Sequence, residues 1–186
     1  ASSSRPAATC RAPALECARL SESARRLMRG KRYADAIAAI QPALATRGAC
    51  ADRVAACRDE LGYLRAEALR LMGKLDDAVA AYRALDRAGA RPTTRQNALY
   101  AAAQLERRQG RADAARLDFE AALSASPKGP LRQEAMLGAM QCAAAAGGDV
   151  ALAAARRYLA AFPSGMGADE ARRIEARQAA QRGSAP

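Results

Sequence analysis

The sequence predicts an all-α protein built as a series of helical hairpins, and three observations carry that prediction. Residues 110–127, GRADAARLDFEAALSASP, place a turn glycine ahead of a small residue (Ala115), an aromatic four residues on (Phe119), an Ala122-Leu123 pair and a closing Pro127, and this half-hairpin pattern recurs along the chain. The 51% of apolar residues are carried mostly by Ala and Leu, with no Trp and two Phe, a composition that suits close-packed helices. Strand-forming runs of Val, Ile and Thr are missing.

Taken in order, residues 1–12 hold three successive serines and no apolar periodicity, so they read as a flexible leader. Pro13 suits a first helical turn, and Leu15, Leu20, Ala24 and Leu27 keep helical spacing up to Met28, with Gly30 as the stop. A partner helix over 33–46 contains Pro42, which predicts a kink or an irregular last turn. A long helix over 51–72 is stopped by Gly73, and the next covers 76–88 with Val79, Tyr82 and Leu85 on one face. Gly89 and Pro92 break the chain, and Thr93 or Thr94 is expected to cap a helix running to Gln109. The half-hairpin after Gly110 ends at a Pro127-Gly129-Pro130 break. Helices over 131–146 and 149–162 follow, divided by Gly147 and Gly148. Residues 164–181 read as a polar capping helix and 182–186 as a tail.

Aligning Ala36, Ala78, Ala115 and Ala154 puts a bulky residue four positions later each time: Ile40, Tyr82, Phe119 and Tyr158. Small residues stand twelve positions earlier, at Ala24, Ala66, Ala103 and Cys142. Leu20, Gly62, Leu99 and Gly138 stand sixteen earlier. Over residues 13–163 this pattern resembles tetratricopeptide repeat proteins, which implies a right-handed α-solenoid of about four hairpins followed by the capping helix. The alanine spacings of 42, 37 and 39 exceed the family period of about 34, so helices or loops are longer than standard. The last repeat, RRYLAAFPSGMGADEARR, is similar to the pattern in bacterial envelope members such as outer-membrane assembly lipoproteins and the Tol-Pal-associated periplasmic coordinator.

The chain carries a net charge of +11, from 30 Lys and Arg against 19 Asp and Glu. That balance steers anionic partners, acidic protein or nucleic acid, although arginines scattered over solvated helix faces give the same total. No window holds the roughly 20 apolar residues of a membrane span, so the sequence reads as soluble, and its start, ASSSRPAAT, reads as the trimmed end of an exported chain.

Four of the five cysteines form two matched pairs, Cys10 with Cys17 and Cys50 with Cys57, each seven residues apart. Seven helical residues span roughly 10 Å, too far for a bridge within a pair. Parallel first helices favour Cys10–Cys50 and Cys17–Cys57 disulfides and an oxidising compartment; antiparallel packing crosses the pairs, and buried reduced thiols are the other reading. With no His and no Cys-x-x-Cys spacing, a metal site is the weaker reading, and Cys142 is expected to be a buried, inert thiol.

The lack of His also removes the commonest general base, and no phosphate loop, nucleophile elbow or zinc motif is present. A non-enzymatic binding protein without cofactors is therefore expected. The family resemblance implies that first helices line a concave groove. It nominates Ser21, Arg25 and Arg29, then Tyr63, Glu67 and Arg70, then Asn97, Tyr100, Gln104 and Arg107. Tyr, Asn, Gln and Arg suit an extended peptide, through amide hydrogen bonds and guanidinium-carboxylate contacts. The expected partner is an extended or acidic protein segment held by an envelope adaptor, with binding of nucleic acid or another polyanion as the alternative. Arginines gathered into one stripe would favour the polyanion, and dispersed ones the adaptor.

Overall fold

In the computed structural model, residues 13–45 and 55–183 are described, and their secondary structure is entirely helical. In chain order the elements are α1 Pro13–Arg29, α2 Tyr33–Ala45, α3 Ala55–Leu71, α4 Leu75–Arg87, α5 Pro92–Arg108, α6 Ala112–Ala125, α7 Arg132–Ala146, α8 Gly148–Ala161 and α9 Ala168–Gly183. Each helix packs on the next, and α1 also packs on α3. α9 starts later than the expected capping helix and runs two residues into the expected tail.

The first three hairpin turns share one hydrogen-bond scheme. At the end of α3 the Lys74 N–H donates to the Leu69 carbonyl and Gly73 N–H to that of Arg70; after α5, Arg111 donates to Glu106 and Gly110 to Arg107. This two-bond closure needs a left-handed residue, which Gly73 and Gly110 provide at φ of 77° and 76°. After α1 the same bonds run from Arg32 to Leu27 and from Lys31 to Met28, so the left-handed position is Lys31, at φ 58°, and not the glycine before it. α1 stops at Arg29, immediately before Gly30 as expected, and the left-handed residue is the next one, Lys31.

The expected threonine cap of α5 is corrected. Pro92 opens α5 at the first helical position, where its missing N–H has no intrahelical partner to lose, and Thr93 and Thr94 lie inside the helix. The Arg91 N–H just ahead donates to the Asp59 carboxylate at 2.9 Å. α2 runs on through Pro42 to Ala45.

The fourth hairpin has a different register from the one the alanine alignment predicts. Ala36, Ala78 and Ala115 each donate to the carbonyl four residues back, at Arg32, Lys74 and Arg111, and the residue doing the same in α8 is Ala151, bonded to Gly147. Ala151 is 1% exposed, whereas Ala154 is half-buried. Buried positions Ala98, Leu99, Ala102, Ala103 and Leu105 of α5 recur 37 residues on, at Ala135, Met136, Ala139, Met140 and Cys142 of α7. Cys142 thus matches Leu105, and Met140 fills the slot held by Ala103. In return Ala155 stands where α6 has Phe119, so bulk has moved from the second helix to the first.

Each second helix buries one large side chain almost completely: Ile40, Tyr82, Phe119 and Tyr158. Space for two of them is made by glycine. A Cβ on Gly138 would collide with the Phe119 ring, and one on Gly165 with the Tyr158 hydroxyl at 2.7 Å.

Two stability measurements follow from these positions. Gly138→Ala is expected to cost about 2 kcal/mol in urea denaturation, because the buried ring cannot swing clear. Lys31→Gly is expected to raise stability by about 1 kcal/mol, since glycine adopts the left-handed turn without the Cβ clash.

Candidate functional site

The first helices of the first three hairpins bring part of the expected set together. Arg25 of α1, Tyr63 of α3 and Asn97 of α5 line one open depression of about 330 Å³, completed by Glu60, Leu64, Arg91 and Thr94. Arg25 and Glu60 form an ion pair across the α1–α3 joint at 2.7 Å. Arg91, 64% exposed at its side chain, lies 3.7 Å from Asp59. Asn97 is exposed and Tyr63 half-buried, its ring tilted against Tyr82 at 5.5 Å. The floor is therefore apolar and the rim carries both signs of charge.

Other expected members are placed differently. Glu67 is held from two sides, by the Arg70 guanidinium at 2.6 Å and by the Tyr82 hydroxyl, so Glu67 and Arg70 tie α3 to α4. Tyr100, Gln104 and Arg107 form a ladder: the Gln104 amide donates to the Tyr100 hydroxyl at 2.8 Å, and Arg107 donates to the Gln104 oxygen at 3.0 Å and to Gln141 of α7 at 3.1 Å. Gln141 donates in turn to Glu170 of α9, extending the polar line to the last helix. Arg29 is exposed in the last turn of α1, outside the depression. Ser21, 3% exposed, is buried at the α1 face and is not a groove residue.

Cys17 and Cys57 lie at disulfide distance, with Cα atoms 5.6 Å apart, joining α1 to α3 in the parallel pairing. Cys10 and Cys50 lie outside the described residues. Cys142 is a buried free thiol whose pKa is raised by that burial, which keeps it protonated and unreactive.

Sequence reasoning missed an ionic cluster, centred on the buried Glu106 and Asp118 carboxylates, that joins α4, α5 and α6. Arg83 of α4 grips Asp118 of α6 with two nitrogens, at 3.0 and 2.7 Å, and reaches Glu106 of α5 at 2.9 Å. Arg111 also donates to Glu106 and, at 2.7 Å, to Asp76. Burial raises the Asp118 pKa, against the pull of Arg83. The available signal was an acid at 118 inside the apolar stripe of Ala115, Phe119 and Ala122. Among the described residues no group of three or more His, Cys, Asp or Glu could hold a metal ion, and no helix is long and apolar enough to cross a membrane.

The tyrosines beside the depression give a pH test. Burial is the main cause that raises the pKa of both Tyr63 and Tyr82, and the nearby Glu67 carboxylate adds to it. A folded pKa above the unfolded value of about 10 means full stabilisation below pH 10 and loss as pH rises through the folded values. Ultraviolet titration is expected to show Tyr63 and Tyr82 ionising at higher pH in the folded chain than in the urea-unfolded chain. Tyr82→Phe should remove one from that late group. No protein-family model matches the chain, and no match is found among curated proteins.

Proposed function

We propose that the protein is a non-catalytic, tetratricopeptide-like scaffold of a bacterial cell envelope, a right-handed α-solenoid that holds an extended segment of another protein across α1, α3 and α5. The observation that carries this reading is the convergence of Arg25, Tyr63 and Asn97, from three separate helices, on one open depression. An extended chain crossing successive first helices meets an aromatic wall, an amide able to pair with peptide groups, and the Arg25 and Arg91 guanidiniums for an acidic side chain. The Cys17–Cys57 pair is compatible with an oxidising location, which supports placement in the envelope.

Binding of nucleic acid or another polyanion through the arginine surplus is the second reading. Among the described residues, arginines 25, 32, 70, 83, 91, 95, 111, 156, 157 and 172 are engaged in ion pairs. Of Arg25, Arg29, Arg70, Arg107 and Arg108, whose gathering into one stripe would favour the polyanion, Arg25 and Arg70 are engaged by Glu60 and Glu67 and Arg107 by glutamines. This dispersal supports the protein-binding reading over the polyanion.

A photo-crosslinking amino acid at Asn97 tests the groove, with one at exposed Leu117 as the comparison site. Capture of a discrete partner at 97 and not at 117, weakened about tenfold by Arg25→Glu, is the expected result. Equal capture at both sites, or no effect of the charge reversal, rejects the groove.

A further inference from the structure

A second cavity lies on the side formed by the second helices, away from the α1–α3–α5 depression. Between α6, the start of α7 and the end of α8 is an open pocket of about 560 Å³. Leu123, Met136, Ala160 and Ala161 make its apolar wall, and Arg132 and Arg157 stand on its rim. No acidic residue lines it.

The two guanidiniums are held in different ways. Arg157 bonds the Glu120 carboxylate through one nitrogen at 2.6 Å, which fixes the side chain across the trough between α6 and α8. Arg132 makes no ion pair among the described residues; it is stacked over the Phe162 ring at 5.0 Å from the centroid. A stacked guanidinium keeps its in-plane N–H donors for another acceptor, and the ring fixes its position beforehand.

We infer that this pocket is a binding site for an amphiphilic monocarboxylate, a compact branched or aromatic apolar body bearing one carboxylate, with the body against Leu123 and Met136 and the carboxylate on Arg132 and Arg157. The size falls in the range of small-ligand pockets, about 300 to 1,000 Å³. A bare inorganic anion leaves the apolar wall wet, and a neutral apolar group leaves Arg132 without its acceptor. A planar carboxylate matches the fork of N–H donors that Arg132 leaves open. The same chemistry is carried by a free carboxylic acid and by the terminal leucine of a peptide, and the measurement separates the two.

The test is an amide NMR titration of the full chain with 4-methylpentanoate, with its uncharged amide as control. Shifts confined to Leu123, Arg132, Arg157, Ala160 and Ala161 are expected with the acid and absent with the amide. Arg132→Gln is expected to weaken binding about tenfold, the worth of a charge-assisted contact. Ala160→Glu, a change at an exposed wall position, should abolish binding by placing a carboxylate inside the pocket. A short peptide ending in leucine carboxylate, compared with its amidated form, identifies the source: tighter binding than the free acid assigns a protein terminus, and weaker binding a small acid. Equal binding of acid and amide, an unchanged Arg132→Gln variant, or shifts spread over arginines elsewhere overturns the assignment.

Discussion

The packing of one large side chain per second helix, in two cases against a gap left by glycine in the neighbouring element, is the constraint on which the rest of the structure depends. Alanine lets helices approach closely but buries little area per residue, so alanine-lined joints have weak positional preference by themselves. Phe119 supplies that preference between the third and fourth hairpins: its ring occupies the space opened by Gly138, and Tyr100 meets it edge-on at 5.5 Å. Tyr82 and Tyr158 have the same task at their own joints, and both are fully buried.

Using tyrosine as the anchor has a cost that reaches the candidate groove. A buried hydroxyl needs a partner, and each tyrosine takes one from the surrounding helices. Tyr82 donates to Glu67, which withdraws that carboxylate and its partner Arg70 from the groove surface. Tyr158 accepts from the Gly167 N–H at 3.0 Å and from Gln133 at 3.2 Å, which pins the turn before α9. Phe119 asks for no partner, and next to it Tyr100, Gln104 and Arg107 bond to one another and to α7. The polarity of the groove is thus set partly by which ring each hairpin buries behind it.

This coupling explains what the sequence made legible. Helix and hairpin order could be read because Gly73, Gly110 and the paired glycines at 147 and 148 mark left-handed turns that a local pattern displays. After α1 the turn could be read from Gly30, but its left-handed residue, Lys31, leaves no compositional trace. The alanine alignment misses the fourth register because alanines are common along α8 and bulk can be exchanged between partners, as Met140 and Ala155 exchange it, while the backbone bond from Ala151 to Gly147 cannot. Arg25, Tyr63 and Asn97 were nominated by the family resemblance, which implies that first helices line a groove, and one depression collects all three. Arg83 escaped because its partners Glu106 and Asp118 lie 23 and 35 residues away and no local spacing encodes a three-helix contact.

The cysteine pair acts where this packing is thinnest. The joint of the first two hairpins rests on a small buried set, Ala24, Ala36, Ile40 and Leu61, without a buried aromatic ring. Its second helix carries Pro42, which cannot donate a backbone hydrogen bond. A bridge from Cys17 to Cys57 joins α1 directly to α3 across 40 residues of sequence, a closure worth about 4 kcal/mol in the chain-entropy picture. It acts on the same joint as the Arg25–Glu60 pair, which stands at the edge of the depression. Covalent closure therefore does for α1 and α3 what Phe119 and Gly138 do further along, and it holds one wall of the candidate groove in place without requiring a large apolar core beneath it.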